Sequence, residues 1–230
     1  MSYERYKAII KELILLDDIL MRKVFESTEC TRLLIRIILG QEDLEIESLR
    51  IQPDYKNLQG RSLIMDIVAQ DEQGNQYNIE VQRDRYGASP KRARYHSGLL
   101  DMNTSRPSSD LDELPKNYVI FITENDVLGY GYQLYHIERV IRENGESFPD
   151  ESYILYLNTE KEDGSALGKL IHDLRCKDPD KMYYREFRER TGYFKHEEKG
   201  EMSMCEAMRD LIQEERMEGM IEGQIRGMKE

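Results

Sequence analysis

The sequence predicts an α/β protein, a mixed central sheet with helices packed on it. Three patterns predict this. Residues 63–82 (LIMDIVAQDEQGNQYNIEVQ) alternate between apolar and polar on both sides of a polar turn, as the strands of a half-buried hairpin do. Residues 117–123 (NYVIFIT) form a short unbroken apolar run, the pattern of a strand buried on both faces. Elsewhere apolar residues recur three and four apart, as on the buried stripe of a helix.

Taken in order, residues 3–25 read as one helix. Ile9, Ile10, Leu13, Leu16 and Leu20 recur at helical spacing, and Val24 and Phe25 continue the stripe. Asp17 and Asp18 interrupt this apolar run. Either they face water, or one of them points toward the hairpin as a further ligand or water-positioning group. A second helix begins near Thr28, with Leu33, Leu34, Ile37 and Ile38 apolar and Gly40 as its C-cap. Residues 49–55 read as a first strand, and Pro53 marks an edge or an end.

The hairpin follows. With residues 71–75 as its turn, Gln70 stands opposite Gln76, Ile67 opposite Ile79 and Met65 opposite Val81. Leu63, Met65, Ile67 and Ala69 then share an apolar face with Tyr77, Ile79 and Val81. A slip of one residue would mix the two faces, so the pattern itself fixes the register. On the other face this register sets Asp66 against Glu80, with Gln82 two residues on and pointing the same way. Like charges directly opposite each other destabilise a sheet. The pair makes sense where a cation lies between them, and Mg²⁺ needs only one or two carboxylates completed by substrate phosphate and water. The competing reading is two acidic residues on a solvated face.

After the hairpin, Arg83, Arg85, Lys91, Arg92 and Arg94 form the most basic stretch of the chain, opposed by Asp84 and interleaved with Tyr86 and Tyr95. Pro90 suits the first position of a helix over 91–100. Arg92 and Tyr95 then share one face, Arg94 and Gly98 another. Because this run abuts the carboxylate strand, it reads as a phosphate-binding segment that neutralises a nucleic-acid backbone without reading its sequence. Beyond the strand at 117–123 come a loop at 129–131, a short helix at 136–142 and a strand at 153–158. Helices at 167–176 and 181–190 are separated by Pro179. Residues 202–230 are helix-prone and Met-rich, and Gly219, Gly223 and Gly227 recur every four residues. That repeat is either a frayed tail or a seam through which two copies form a homodimer. The expected division is a domain over 1–195 and a helical tail over 196–230, with the natural chain continuing past Glu230.

Composition narrows the function. The chain has 230 residues, 34% of them charged, and a formal net charge of −12. Such a chain is not a general nucleic-acid coat, so any DNA contact is local. Cys30, Cys176 and Cys205 show neither a disulfide framework nor zinc spacing. His96, His136, His172 and His196 show no zinc-binding pair and read as ordinary core or helix-surface residues. With no apolar signal region and no run of membrane-spanning length, a cytoplasmic location is expected.

The order helix, strand, carboxylate hairpin, basic helix, apolar strand resembles the restriction-endonuclease-like α-β-β-β-α-β core of the PD-(D/E)XK nuclease superfamily. The closer resemblance is to its recombination-promoting nuclease and transposase branch. LDDILMRKVF (16–25), GRSLIMDIVAQDEQGNQYNIEVQR (60–83), KRARYHSGLLD (91–101) and LPKNYVIFITENDVLG (114–129) carry it, with YGYQLYHIERVI (130–141) and LGKLIHDLRC (167–176). The resemblance implies that Asp66 and Glu80 bind Mg²⁺, for which Mn²⁺ can substitute. Asp18 is the candidate third ligand. Gln82 stands where the superfamily has a lysine; a lysine steadies the attacking water and the phosphate through its charge, whereas an amide can only hydrogen-bond. Arg83, Arg85 or Lys91 are candidates for the missing charge.

The implied function is a Mg²⁺-dependent DNA endonuclease that hydrolyses phosphodiester bonds in recombination or mobile-element movement. Arg83, Arg85, Lys91, Arg92, Arg94 and Tyr95 would hold the DNA. The alternative is a metal- or DNA-binding scaffold without turnover. Intact Asp66 and Glu80 favour the enzyme; Gln82 favours the scaffold.

Overall fold

The computed structural model describes residues 3–57, 62–105 and 108–227, and of Arg85, Tyr86 and residues 214–227 the backbone course alone. The N-terminal stretch is two helices, α1 (Tyr3–Glu12) and α2 (Asp18–Phe25), and not the single helix that its spacing predicts. Between them Leu15 and Leu16 are both buried. Asp17 makes the break. Its carboxylate accepts the Ile14 N–H at 2.8 Å, and its own extended backbone (φ −82°, ψ 124°) is the N-cap of α2. Lys195 captures the carbonyls of Lys11 and Leu13, closing off the end of α1.

Helix α3 (Thr28–Leu39) ends at Gly40, whose φ of 65° is the left-handed cap that glycine tolerates. Then come β1 (Ile46–Ile51), β2 (Asp54–Tyr55), β3 (Leu63–Ile64), β4 (Ile67–Asp71) and β5 (Gln76–Gln82). The turn of the β4–β5 hairpin is tied by Asp71, whose carboxylate accepts the backbone N–H groups of Gln73 and Asn75 and the Tyr77 hydroxyl. The observed register pairs Gln70 with Gln76 and Ile67 with Ile79, as the alternation requires.

Met65 does not continue that ladder opposite Val81. The ladder stops at Ile67, and Leu63–Ile64 pairs with Asp54–Tyr55 in a separate two-stranded sheet. Leu63 and Met65 therefore change sides. They pack with Val68, Ala93 and Phe121, while Ile67, Ala69, Tyr77 and Ile79 lie in the other core cluster.

Helix α4 (Pro90–Thr104) starts at Pro90, capped by the Ser89 side chain, and leads to β6 (Asn117–Thr123). Residues 136–142, expected as a helix, instead contribute to β7 (Leu134–Ile137), an edge strand antiparallel to β8 (Ser152–Asn158). The chain closes with α5 (Ala166–Arg175), α6 (Arg185–His196) and α7 (Glu198–Gly227). Helix α6 starts four residues later than expected because Asp173 accepts the N–H groups of Tyr183 and Tyr184, both at 2.8 Å, and holds them outside the helix. In α7, Met204 and Cys205 are buried in the main core. The Gly219, Gly223, Gly227 repeat lies outside the residues whose side chains are described. Among the described residues no helix is long and apolar enough to cross a membrane.

The six-stranded sheet runs β1-β4-β5-β6-β8-β7, with β5, β6 and β8 parallel and the other pairings antiparallel. One face carries the larger core, made with α1–α3 and α5–α7; the other is covered by α4. Strand β5 is central and mostly buried on both faces, which makes any charge on it costly.

Candidate active site

Glu80 is that charge. It points to the α4 side of the sheet, beside Phe121 on β6, and is 1% exposed. One of its oxygens, Oε1, accepts the Asp66 N–H at 3.1 Å and the Asn78 side-chain amide at 2.8 Å. His96 Nδ1, from α4, stands 3.4 Å from the same oxygen and 3.0 Å from Asn78 Oδ1. Behind it Arg92 Nε donates to His96 Nε2 at 3.3 Å. That bond makes Nδ1 the protonated ring nitrogen, so it donates toward Asn78 and Glu80. The second oxygen of Glu80, Oε2, is buried and has no hydrogen-bond partner among the described residues.

Asp66 completes the exchange. Its Oδ2 accepts the Val81 N–H at 3.0 Å. Where two ladder bonds would continue the hairpin, each carboxylate instead takes a backbone N–H of the opposite strand. This is why the ladder stops at Ile67 and why the two acids end up together. Burial, followed by the negative charge of Glu80, pushes the Asp66 carboxyl up to about 7; the Val81 hydrogen bond opposes this, and Asp18 adds a smaller upward push.

Gln82 follows on the same strand, half-buried. Its amide oxygen lies against the Gly87 α-carbon, in the 3₁₀ turn Arg85–Ala88, so closely that a Cβ on Gly87 would sit 1.9 Å from it. Gly87 is thus the wall that places the Gln82 amide.

The remaining expected residues divide. Asp18 is turned to Arg22, which it meets through both of its oxygens at 2.5 and 2.7 Å. Among the described residues no group of three His, Cys, Asp or Glu side chains is arranged to hold a metal ion. Arg83 does not present a free guanidinium to phosphate; it bridges Glu124, at 2.9 and 3.3 Å, and Asp17. The Arg85 side chain lies outside those described. Lys91 and Arg94 are exposed, Arg92 is half-buried against His96, and the Tyr95 hydroxyl accepts from Asn57 at 2.9 Å. Arg94 lines a separate cleft with Asp101 and Arg139.

Sequence reasoning missed Asn78 and His96, the two residues that hold Glu80. The signal was present. Asn78, Glu80 and Gln82 are polar at alternate positions of a strand whose intervening residues are apolar, and a buried strand keeps such residues only if they are bonded or used.

A family model described as PD-(D/E)XK nuclease family transposase matches residues 16–169. No curated protein and no solved structure matches the chain.

Proposed function

The chain belongs to the PD-(D/E)XK nuclease family of transposases, and from this we propose that it is a Mg²⁺-dependent DNA endonuclease acting in recombination or mobile-element movement. The observation that carries the reading is the buried, unpartnered Glu80 Oε2 beside the Asp66 carboxylate. A buried acceptor without a donor is costly, about 1–3 kcal/mol, and the cost is removed if a cation is the missing partner. The donor set fits a hard ion that takes one or two carboxylates and fills its remaining positions with water and phosphate.

Asp66 and Glu80 would hold Mg²⁺, with Mn²⁺ as its substitute. Bound there, the ion supplies Lewis-acid stabilisation of a scissile phosphate and lowers the pKa of a coordinated water. The protein's own part is preorganisation. Asn78, His96 and the Asp66 N–H fix one oxygen of Glu80, so the other has a single direction. The Val81 N–H fixes Asp66 in the same way. Gln82 offers an amide to orient the attacking water, held in place by Gly87. The exposed Lys91, Arg94 and Tyr95 on α4 would contact the DNA backbone, with Arg92 serving chiefly to back His96. Asp18 remains within electrostatic reach of Asp66 and would join the ligands only by leaving Arg22.

Plasmid nicking with Mg²⁺ or Mn²⁺ tests the activity. Metal-dependent nicks are expected; an intact plasmid together with a metal-raised melting temperature would mean the scaffold. A second test isolates Gln82. Gly87→Ala should displace the Gln82 amide at little cost in melting temperature, because the group displaced is the end of a flexible side chain. Nicking should fall about 10²-fold, the effect of a misplacement of about 1 Å. Wild-type nicking in Gly87→Ala would remove Gln82 from the reaction.

A further inference from the structure

Two tyrosines stand out on the surface. Tyr130 is 76% exposed and Tyr132 is 64% exposed, on the loop between β6 and β7. Neither contributes much to the core, yet the loop that carries them is tightly built. Asp126 accepts the N–H groups of Leu128, Gly129 and Gly131 at 3.2, 2.9 and 2.7 Å, and the Tyr135 hydroxyl at 2.7 Å. That hydroxyl in turn accepts the N–H groups of Tyr130 and Tyr132, at 3.1 and 3.2 Å. Gly129 and Gly131 take φ of 79° and 77°, which lets the chain wrap around Asp126. Asn158 ties the loop to β8 through the Tyr132 carbonyl at 3.1 Å. The two rings rest against Tyr135, with centroids 6.4 and 5.6 Å away.

The position of this loop matters as much as its rigidity. Glu80, Phe121, Tyr156 and Tyr135 are directly paired in a row across four neighbouring strands. Phe121, Tyr156 and Tyr135 belong to the α4-side cluster, the face on which Glu80 meets His96. Three strand spacings separate Glu80 from Tyr135, about 14 Å. The loop follows the C-terminal end of β6, level with the end of β5 at Gln82. Lys161 lies beside it, its Nζ 3.4 Å from the Gly131 carbonyl.

We propose that Tyr130 and Tyr132 are a stacking platform for unpaired bases, and that the strand this site receives is single-stranded DNA or a locally opened duplex. The proposal rests on the nuclease reading for the role of the nearby carboxylates, not for the platform itself. Paired bases hide their faces; unpaired ones stack on aromatic side chains whatever their sequence. Stacking also suits this chain, because a net charge of −12 leaves little general attraction for a duplex polyanion.

The chain has no tryptophan, which gives a direct probe. Full-length protein without divalent metal is titrated into a labelled oligothymidylate, and separately into a duplex with the same label. The wild type should prefer the single strand. The double variant Tyr130→Ala/Tyr132→Ala should lose about 5- to 150-fold in single-strand affinity for each base unstacked, with duplex affinity unchanged. Tyr132→Trp should keep the affinity, and its single indole should be quenched when oligothymidylate binds. Unchanged single-strand affinity in the double alanine variant overturns the platform, as does an unquenched indole or a wild type that binds neither probe. Wild-type protein that binds oligothymidylate through these tyrosines yet leaves plasmid intact keeps the platform and ends the nuclease reading. Metal-dependent nicking alongside an affinity indifferent to Tyr130 and Tyr132 does the reverse.

Discussion

Asp66→Asn should lower metal-dependent nicking about 10³-fold and should make the metal-free protein more stable at pH 8. The second half follows from linkage. Burial and the charge of Glu80 raise the Asp66 carboxyl from 3.8 to about 7 in the folded protein. The fold therefore holds that proton more tightly than the unfolded chain does. The stability this contributes is complete below about pH 4 and is lost as pH rises through 7. At ~1.4 kcal/mol per unit the full loss would be about 4 kcal/mol, and solvent at the partly exposed carboxyl reduces it to roughly 2. Asparagine is neutral throughout, so its stability is flat across that window, and its side-chain oxygen can still accept the Val81 N–H. Mg²⁺ that binds the folded site and not the unfolded chain should add about 2.7 kcal/mol to the wild type at a hundredfold excess over its dissociation constant. The Asn variant should gain nothing. Melting curves at pH 5 and 8, with and without metal at fixed ionic strength, measure all four corners. An equal metal shift in both proteins would take Asp66 out of the site.

Lys195→Met should be the most damaging change away from the carboxylates. Lys195 is 2% exposed, and its ammonium donates to the carbonyls of Lys11, Leu13 and Lys177, at 3.1 Å for Lys11 and 2.6 Å for Lys177. Methionine fills the space but leaves three carbonyls without that donor, at a cost of about 3–5 kcal/mol. The pH dependence is a second signature. Burial lowers the Lys195 ammonium from 10.5 to about 8, so the unfolded chain binds the proton more tightly. Wild-type stability should rise with pH between about 8 and 10.5, and it is lost again as pH falls through 8. Denaturant titrations at pH 8, 9 and 10 should show this rise in the wild type and not in the variant. Equal stability of the two proteins would mean that the three carbonyls find other donors.

What was legible in the sequence was whatever a short range decides. The hairpin register followed from a period of two and a five-residue turn. Pro90 and Gly40 marked helix ends by their own backbone limits. What was not legible depended on distant partners. The break between α1 and α2 falls where helical spacing continues on both sides of Asp17 and Asp18, and the group that captures the carbonyls at the end of α1 is Lys195, 182 residues from Leu13. Strand β7 lies at an edge, where Tyr135 is buried but His136 and Ile137 are exposed, so its pattern carries no strand period. In the site, Asp66 and Glu80 could be paired from the register. The face change at Met65 could not, because there each carboxylate takes a backbone N–H of the opposite strand, Asp66 from Val81 and Glu80 from Asp66. Nor could the neutralisation of Arg83, since Asp17 and Glu124 meet it from two other elements.

The Lys195 clamp also sets an order of assembly during synthesis. Helix α1 buries Tyr6 and Ile10 in a cluster that includes Met204 and Cys205, and Lys7 pairs with Glu201 at 2.6 Å. A ribosome releasing about 5–20 residues per second delivers Lys195 some 10–35 s after the Leu13–Asp17 turn that it secures. Through that interval the hairpin and α4 can form, but the turn that carries Asp17 to Arg83, next to Gln82, lacks the Lys195 donor. Helix α1 thus waits for α6 and α7, and the edge that carries Asp17 and Arg83 is finished only after they are made.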